Sequence, residues 1–256
     1  MTQPPEVKNK SLKKALTILN CFIEKQPLGV SEIAERLGLG KSNVHDILST
    51  FAAMDYLEKE EATGKYQLGI GLLRLCNAIG DRYSFQAVAS DHIWEIAAQV
   101  GEIVYLTVPV KDRICYLDVA FPMQTSAHMA ASARNMTDSM YSTGCGKAML
   151  AHLPEHTIEE YLRLPREALT PNTITDEGAL REELRRIRER GYATDNMENL
   201  VGISCVAVPL LSRSGVVLGA LSISGPAPRF TPEQVTRHAA LLQRHTMEIQ
   251  AGVFVC

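Results

Sequence analysis

Apolar residues recur at intervals of three and four from Ser11 onward. Leu12, Ala15, Leu16, Leu19, Phe22 and Ile23 share one helical face, and Pro27 and Gly29 end the pattern. A second helix is predicted over SEIAERLG, with Ser31 as N-cap, Gly38 as the C-terminal cap and Ile33, Ala34 and Leu37 facing inward. A third is predicted from Ser42 to Met54, with Val44, Ile47, Leu48 and Phe51 inside. The period then shortens to two. Tyr56–Glu58 and Lys65–Leu68 alternate around Ala62-Thr63-Gly64, the pattern of a short β-hairpin. Helix, helix, turn, helix, hairpin over 11–68 is the order of a winged helix-turn-helix. A small helical protein-interaction module is the other reading, because winged helices also serve as dimerisation units. Residues 1–10 are polar, contain Pro4 and Pro5, and are expected to form a disordered basic arm.

A connecting helix is predicted over 69–84, carried by Leu72, Leu73, Leu75, Cys76 and Ile79, and another from Phe85 to Val100. Strand-like runs follow at 103–108 and 113–119, a third strand is expected at 124–131, and strands return at 203–210 and 216–224. Helical patterns lie between them at 145–152, 155–162 and 176–190, and a final helix opens at Thr231-Pro232, where Thr caps and Pro fits the first turn. Within 176–190, Glu182 and Glu183 are both expected to pair with Arg186 on a solvated face. Mixed strands and helices over 85–256 argue a single α+β domain.

Composition narrows the function classes. Of 256 residues, 46% are apolar and 21% charged, and the net charge is −3, so a wholesale basic coat protein is excluded and any nucleic-acid contact must be local. No apolar run approaches the roughly 20 residues needed to span a bilayer. The six cysteines include no C-x-x-C pair, so neither zinc nor a redox dithiol is expected. The polar N-terminus has no apolar leader core, and a reducing cytoplasm with free thiols fits best.

A recognition helix turns its first residues toward the major groove. The polar positions there are Lys41, Ser42, Asn43, His45, Asp46 and Ser49. Lys41 offers charge to phosphate, Ser42 offers a short hydrogen-bonding group, and Asn43 or His45 can read a base edge. Asp46 repels phosphate but can accept from a cytosine amino group, or can cap or pair internally with Lys41 or another residue. On the wing, Thr63, Gly64, Lys65 and Tyr66 are available, with Lys65 a candidate phosphate or minor-groove contact. Residues 1–72 hold equal numbers of basic and acidic side chains. Modest affinity per protomer, and reliance on two half-sites, is therefore expected.

Four collinear blocks, SEIAERLGLGKSNVHDIL, YSTGCGKAMLAHLP, GYATDNMENLVGISCVAVPL and LGALSISGP, resemble the IclR family of bacterial transcription regulators over about residues 11–250. The resemblance implies a winged helix joined by a helical linker to a GAF-like α/β sensor domain, with dimers or tetramers that bind double-stranded operator DNA and respond to small metabolites. It departs at Asp46, where the family usually has arginine. It also implies an effector pocket that uses the backbone at Gly144 and Cys145 and polar groups matching Asp195, Cys205, Ser222 and Ser224. The residues fit that role in part. Ser222 and Ser224 alternate on one strand and share a face. Glycines ahead of a helix let a ligand approach its N–H groups. Asp195, beside the strand-like 191–194, supplies an acceptor. Hydroxyls, a thiol and an acid suit a small oxygenated carboxylate such as a sugar, keto or aromatic acid. Ordinary strand packing for the serines and a small buried hydrophobe for Cys205 are the plainer alternatives.

Catalysis is not expected. The Walker A spacing is absent, and Cys145, although at a helix start that would lower its pKa, has no base assigned among His128 and His152. Metal at His152 and His156 is not expected either, because Pro154 interrupts the helix between them. No cofactor is implied. A regulator that answers to a partner protein instead of a metabolite stays open.

Overall fold

The computed structural model describes residues 7–80, 85–122 and 136–253. The expected strand at 124–131 and most of the expected arm lie outside them. The chain divides into two compact units, Met1–Tyr83 and Ser84–Cys256.

The first unit is built from α1 (Lys10–Glu24), α2 (Val30–Leu37), α3 (Lys41–Ala53), the hairpin β1 (Leu57–Lys59) and β2 (Tyr66–Leu68), and α4 (Gly71–Gly80). Asn9 caps α1, its Oδ1 accepting from the Leu12 N–H at 2.9 Å. Ser31, expected as the cap of α2, instead lies inside that helix. Gly29 is the cap residue, and Glu32 reaches back to accept from the Gly29 N–H at 2.8 Å, so a carboxylate on the third helical residue replaces the hydroxyl. Gly38 closes α2 at φ 63°, a left-handed conformation that suits glycine. Ile18, Phe22, Ile33, Val44, Leu48, Leu57 and Tyr66 form one buried core. It joins the three helices to the hairpin, whose register pairs Leu57 with Leu68 and Lys59 with Tyr66. The same Tyr66 exchanges both backbone hydrogen bonds with Leu28, tying the hairpin to the α1–α2 connection.

The second unit starts with α5 (Phe85–Val100) and ends with α9 (Pro232–Val253). Between them lie β3 (Ile103–Val110), β4 (Arg113–Ala120), β5 (Thr137–Ser139), α6 (Gly144–Leu150), α7 (Glu155–Leu162), α8 (Glu177–Arg190), β6 (Ala193–Asn196), β7 (Ile203–Leu211) and β8 (Val217–Pro226). The strands make one antiparallel sheet in the order β5-β4-β3-β8-β7-β6. Helices α5 and α9 pack on one face, against β3, β4 and β7, and α6 packs on the other. Ile114, Met149, Leu150, Leu180, Leu184 and Ile187 are central to the core under α6–α8. Three details depart from the sequence expectations. Strand β5 is too short and polar to announce itself. Strand β6 runs two residues later than 191–194, which puts Asp195 inside it. Glu183 pairs with Arg190 at 2.6 Å, because Arg186 is already bonded to Glu182 at 3.0 Å.

Candidate functional site

Two places collect polar groups that packing alone does not require. On the first unit, Val44 and Leu48 anchor α3 from behind, and this turns Lys41, Ser42, Asn43, His45 and Asp46 outward, all exposed. Ser49, also expected there, is half-buried. Lys41 has no ion pair among the described residues. Asp46 turns to His45, its Oδ1 lying 3.7 Å from His45 Nδ1, rather than to Lys41. The wing differs from its expectation. Tyr66 is a core residue, and Lys65 turns back from the loop so that its Nζ sits 3.0 Å from Glu32 Oε2. The Gly29 N–H, reinforced by Lys65 and Lys25, holds the Glu32 carboxyl down at about 2. The wing lysine is therefore an internal counterion as well as a candidate DNA contact.

The second place is a cavity of about 460 Å³ on the α6 side of the sheet. The strand register assembles it. Asp195 lies opposite Cys205, Cys205 opposite Ser224, and Ser224 opposite Ile103, a row across four strands. The next row on the same face is Ala193, Ala207, Ser222 and Tyr105. Ser222 and Ser224 both line the cavity, as their alternation requires, together with Cys145, Asp195 and Cys205. Thr143, Tyr105, Tyr116, Asn199 and the apolar Ile103, Leu200 and Ile203 complete the walls, and Glu102 and Arg229 close one end.

Gly144 opens α6, and it is not among the residues that line the cavity. A Cβ built there would lie 2.5 Å from Cys205 Sγ, and one at Gly146 would lie 2.3 Å from the Met140 Cα. These glycines let α6 press onto β7 and onto the preceding loop. Their smallness serves the protein's own packing, and Thr143 and Cys145 are the residues of this segment that reach the cavity. Thr143 caps α6, its Oγ1 accepting from the Gly146 N–H at 3.1 Å and donating to the Ser139 carbonyl at 2.9 Å.

Electrostatics set what these groups can do. The Cys145 thiol is fully buried beside the Ser222 and Thr107 hydroxyls, and burial pushes its pKa up, as it does for Cys205. This is opposite to the lowering expected from a helix start, and it removes the condition for a reactive thiolate. Burial also raises Asp195 to about 7, against the opposing pull of the Glu198 backbone N–H and of Lys147. Asp195 Oδ1 accepts from the N–H groups of Glu198, at 2.6 Å, and Asn199, at 3.4 Å, which fixes the turn after β6.

Beneath that turn lies a pair that sequence reasoning missed. Lys147, 1% exposed, donates to both carboxylate oxygens of Glu198, 7% exposed. Thr173 Oγ1 also donates to the Glu198 carbonyl, at 2.6 Å. At the end of the cavity that they close, Arg229 grips Glu102 in a two-pronged contact of 2.7 and 2.9 Å. Gly225 makes room for it, since a Cβ there would lie 2.2 Å from Glu102 Oε2. Tyr105, Tyr116, Asn199 and Arg229 gave no motif. Only the in-out alternation of β3 and β4 hinted at the tyrosines.

Comparison with known proteins finds one family match on each unit. The family described as "Bacterial transcriptional regulator IclR C-terminal" matches residues 78–251, and "IclR helix-turn-helix domain" matches 11–61. The chain is similar to the HTH-type transcriptional regulator KdgR of Escherichia coli, 30% identical over 250 residues, covering 97% of this chain and 94% of that one. It is similar to the glycerol operon regulatory protein of Streptomyces griseus, 33% identical over 227 residues, covering 88% and 87%. Among solved structures it resembles the Thermotoga maritima IclR, with a TM-score of 0.78 and 32% identity over 95% of this chain and 98% of that one.

Proposed function

The chain belongs to the IclR family of bacterial transcriptional regulators, and from that premise we propose that its affinity for operator DNA is set by a small carboxylate metabolite held in the 460 Å³ cavity. The observation that carries this is the cavity's lining. It has the size of a small-molecule site. Its hydroxyls on Thr143, Ser222 and Ser224 stand beside two tyrosines, with an arginine at one end. Asp195, lifted to about 7, is available near neutrality as a neutral donor, so it can face an acid without full charge repulsion. A hydroxylated or keto acid would satisfy the hydroxyls and turn its carboxylate toward Arg229 or protonated Asp195.

On the DNA side, α3 enters the major groove and Lys41, Ser42, Asn43, His45 and Asp46 face bases and phosphates, with Lys65 able to join once it leaves Glu32. Because the unit carries balanced charge, two winged helices of a dimer or tetramer act on two half-sites. The protein works in the cytoplasm, where operator and metabolite meet. Among the described residues no helix is long and apolar enough to cross a membrane. Full switching of a promoter requires the effector to favour one state by about 5.5 kcal/mol.

The test is fluorescence anisotropy of the full chain on DNA from upstream of its own gene, with scrambled DNA as control, repeated with sugar, keto and aromatic acids. Specific binding should exceed the control by about a thousandfold or more. One acid class should change it, and Ser222→Ala should blunt that response while leaving effector-free DNA binding intact. Equal weak binding to both DNAs, with and without acids, would favour a protein-interaction role instead.

A further inference from the structure

A cluster of histidine and carboxylate side chains lies between α5 and α9, and none of its residues lines the cavity. Each helix contributes the same spacing, His92-x-x-Glu95 on α5 and His245-x-x-Glu248 on α9, which puts a histidine and a carboxylate one turn apart on one face. The two Nδ1 atoms face each other at 2.8 Å, with the rings nearly perpendicular at 78°. The ligand atoms of His92, Glu95 and His245 all lie within 4.8 Å of one another. Glu248 Oε2 is 3.7 Å from His92 Nδ1 and 3.8 Å from His245 Nδ1.

We propose that His92, Glu95, His245 and Glu248 form a site for one divalent transition-metal ion, with zinc the best fit. Two imidazoles and two carboxylates make a tetrahedral set of bonds of about 2.0–2.2 Å. Tetrahedral bonds of that length separate two nitrogens by about 3.3 Å, so the facing Nδ1 atoms need open only slightly. The two carboxylates neutralise the ion. Nitrogen donors select zinc, cobalt or nickel over calcium and magnesium, which prefer oxygen alone. His245 is buried between the two helices, and His92 is partly covered, so the ion would be shielded on that side. Arg244 is the competing charge, with Nη2 3.4 Å from His245 Nε2 and Nε 4.0 Å from Glu248 Oε1. It is exposed and free to swing aside. The ion would clip the first helix of the second unit to its last.

The experiment uses the full chain, stripped with chelator and titrated with zinc chloride by calorimetry, with cobalt(II) absorption and thermal melts in parallel. One ion per chain, a tetrahedral cobalt spectrum and a melting point raised by about 5 °C or more at a hundredfold excess over Kd are expected. His92→Ala and Glu248→Gln, both at positions less buried than His245, should weaken zinc at least tenfold and abolish the cobalt bands, while melting near the wild type without metal. Wild-type protein that takes up no zinc, or variants that bind it with unchanged stoichiometry and affinity, would overturn the proposal.

Discussion

The two functional places hold their polar groups in opposite ways. On α3 the side chains offered to DNA are exposed, and the helix is held from behind by Val44 and Leu48. Each outward residue can change with little cost to folding. In the cavity, Asp195, Cys205 and Ser222 are themselves buried, and the turn that places Asp195 rests on the buried Lys147–Glu198 pair. There, binding and stability are the same structure. Substitutions in the first place should alter affinity alone, and substitutions in the second should alter response and stability together.

The largest expected effect is the sharpest way to break that contrast. Lys147→Met leaves Glu198 buried without its counterion, with only the Asn196 N–H still donating to it, and should destabilise the second unit by about 3–5 kcal/mol, lowering its melting point by about 10 °C. Lys147→Met with Glu198→Gln should recover part of this loss, as read by thermal or denaturant melts. A single variant as stable as the wild type would show that the buried pair does not hold the turn.

Next comes Asp195. Its carboxyl is raised to about 7 by burial, so the protonated form prevails below that pH and can donate to an acid, while the ionised form above it repels one. Effector affinity should fall as pH rises through 7, by up to tenfold per unit when one proton is coupled. Asp195→Asn should flatten the profile. The neighbours Glu198, Lys147 and Cys205 are unchanged in this variant, so a profile that persists in Asp195→Asn would place the titrating group elsewhere.

Smaller effects belong to the DNA unit. Lys41→Ala should weaken binding to all sequences alike and lower the salt slope by about one per protomer. An unchanged slope means that Lys41 misses phosphate. Glu32→Gln should release Lys65 and tighten non-specific binding a few-fold with a steeper salt slope, and Lys65→Ala in the wild-type background should do less than Lys41→Ala. If Glu32→Gln leaves the slope unaltered, Lys65 remains turned away from DNA even when free.

The same contrast explains what was legible in the sequence. Periods of three to four and two revealed the winged helix, because its core positions are local and its capping glycines have one conformational use. Ser31 misled, since a serine before an apolar run looks like a cap while Glu32 does the capping from inside the helix. In the second unit the helices and the long strands β3, β4, β7 and β8 were visible while the short β5 was not, and the paired serines of β8 declared their shared face. Lys147–Glu198 and Glu102–Arg229 did not, because they join residues 51 and 127 positions apart that only the tertiary fold brings together, and the two tyrosines meet only through the β3–β4 pairing. The glycines of α6 show the limit from the other side. Their spacing suggested ligand access, and the distances to Cys205 and Met140 give them to packing.

The most direct test of metabolite control is operator anisotropy on wild-type and Ser222→Ala protein across a titration of whichever acid the wild type answers to. The account predicts equal operator affinity for the two proteins without acid, and a response in the variant shifted to at least tenfold higher acid concentration. An identical response in both proteins would contradict it, because the effector would then be acting without the cavity.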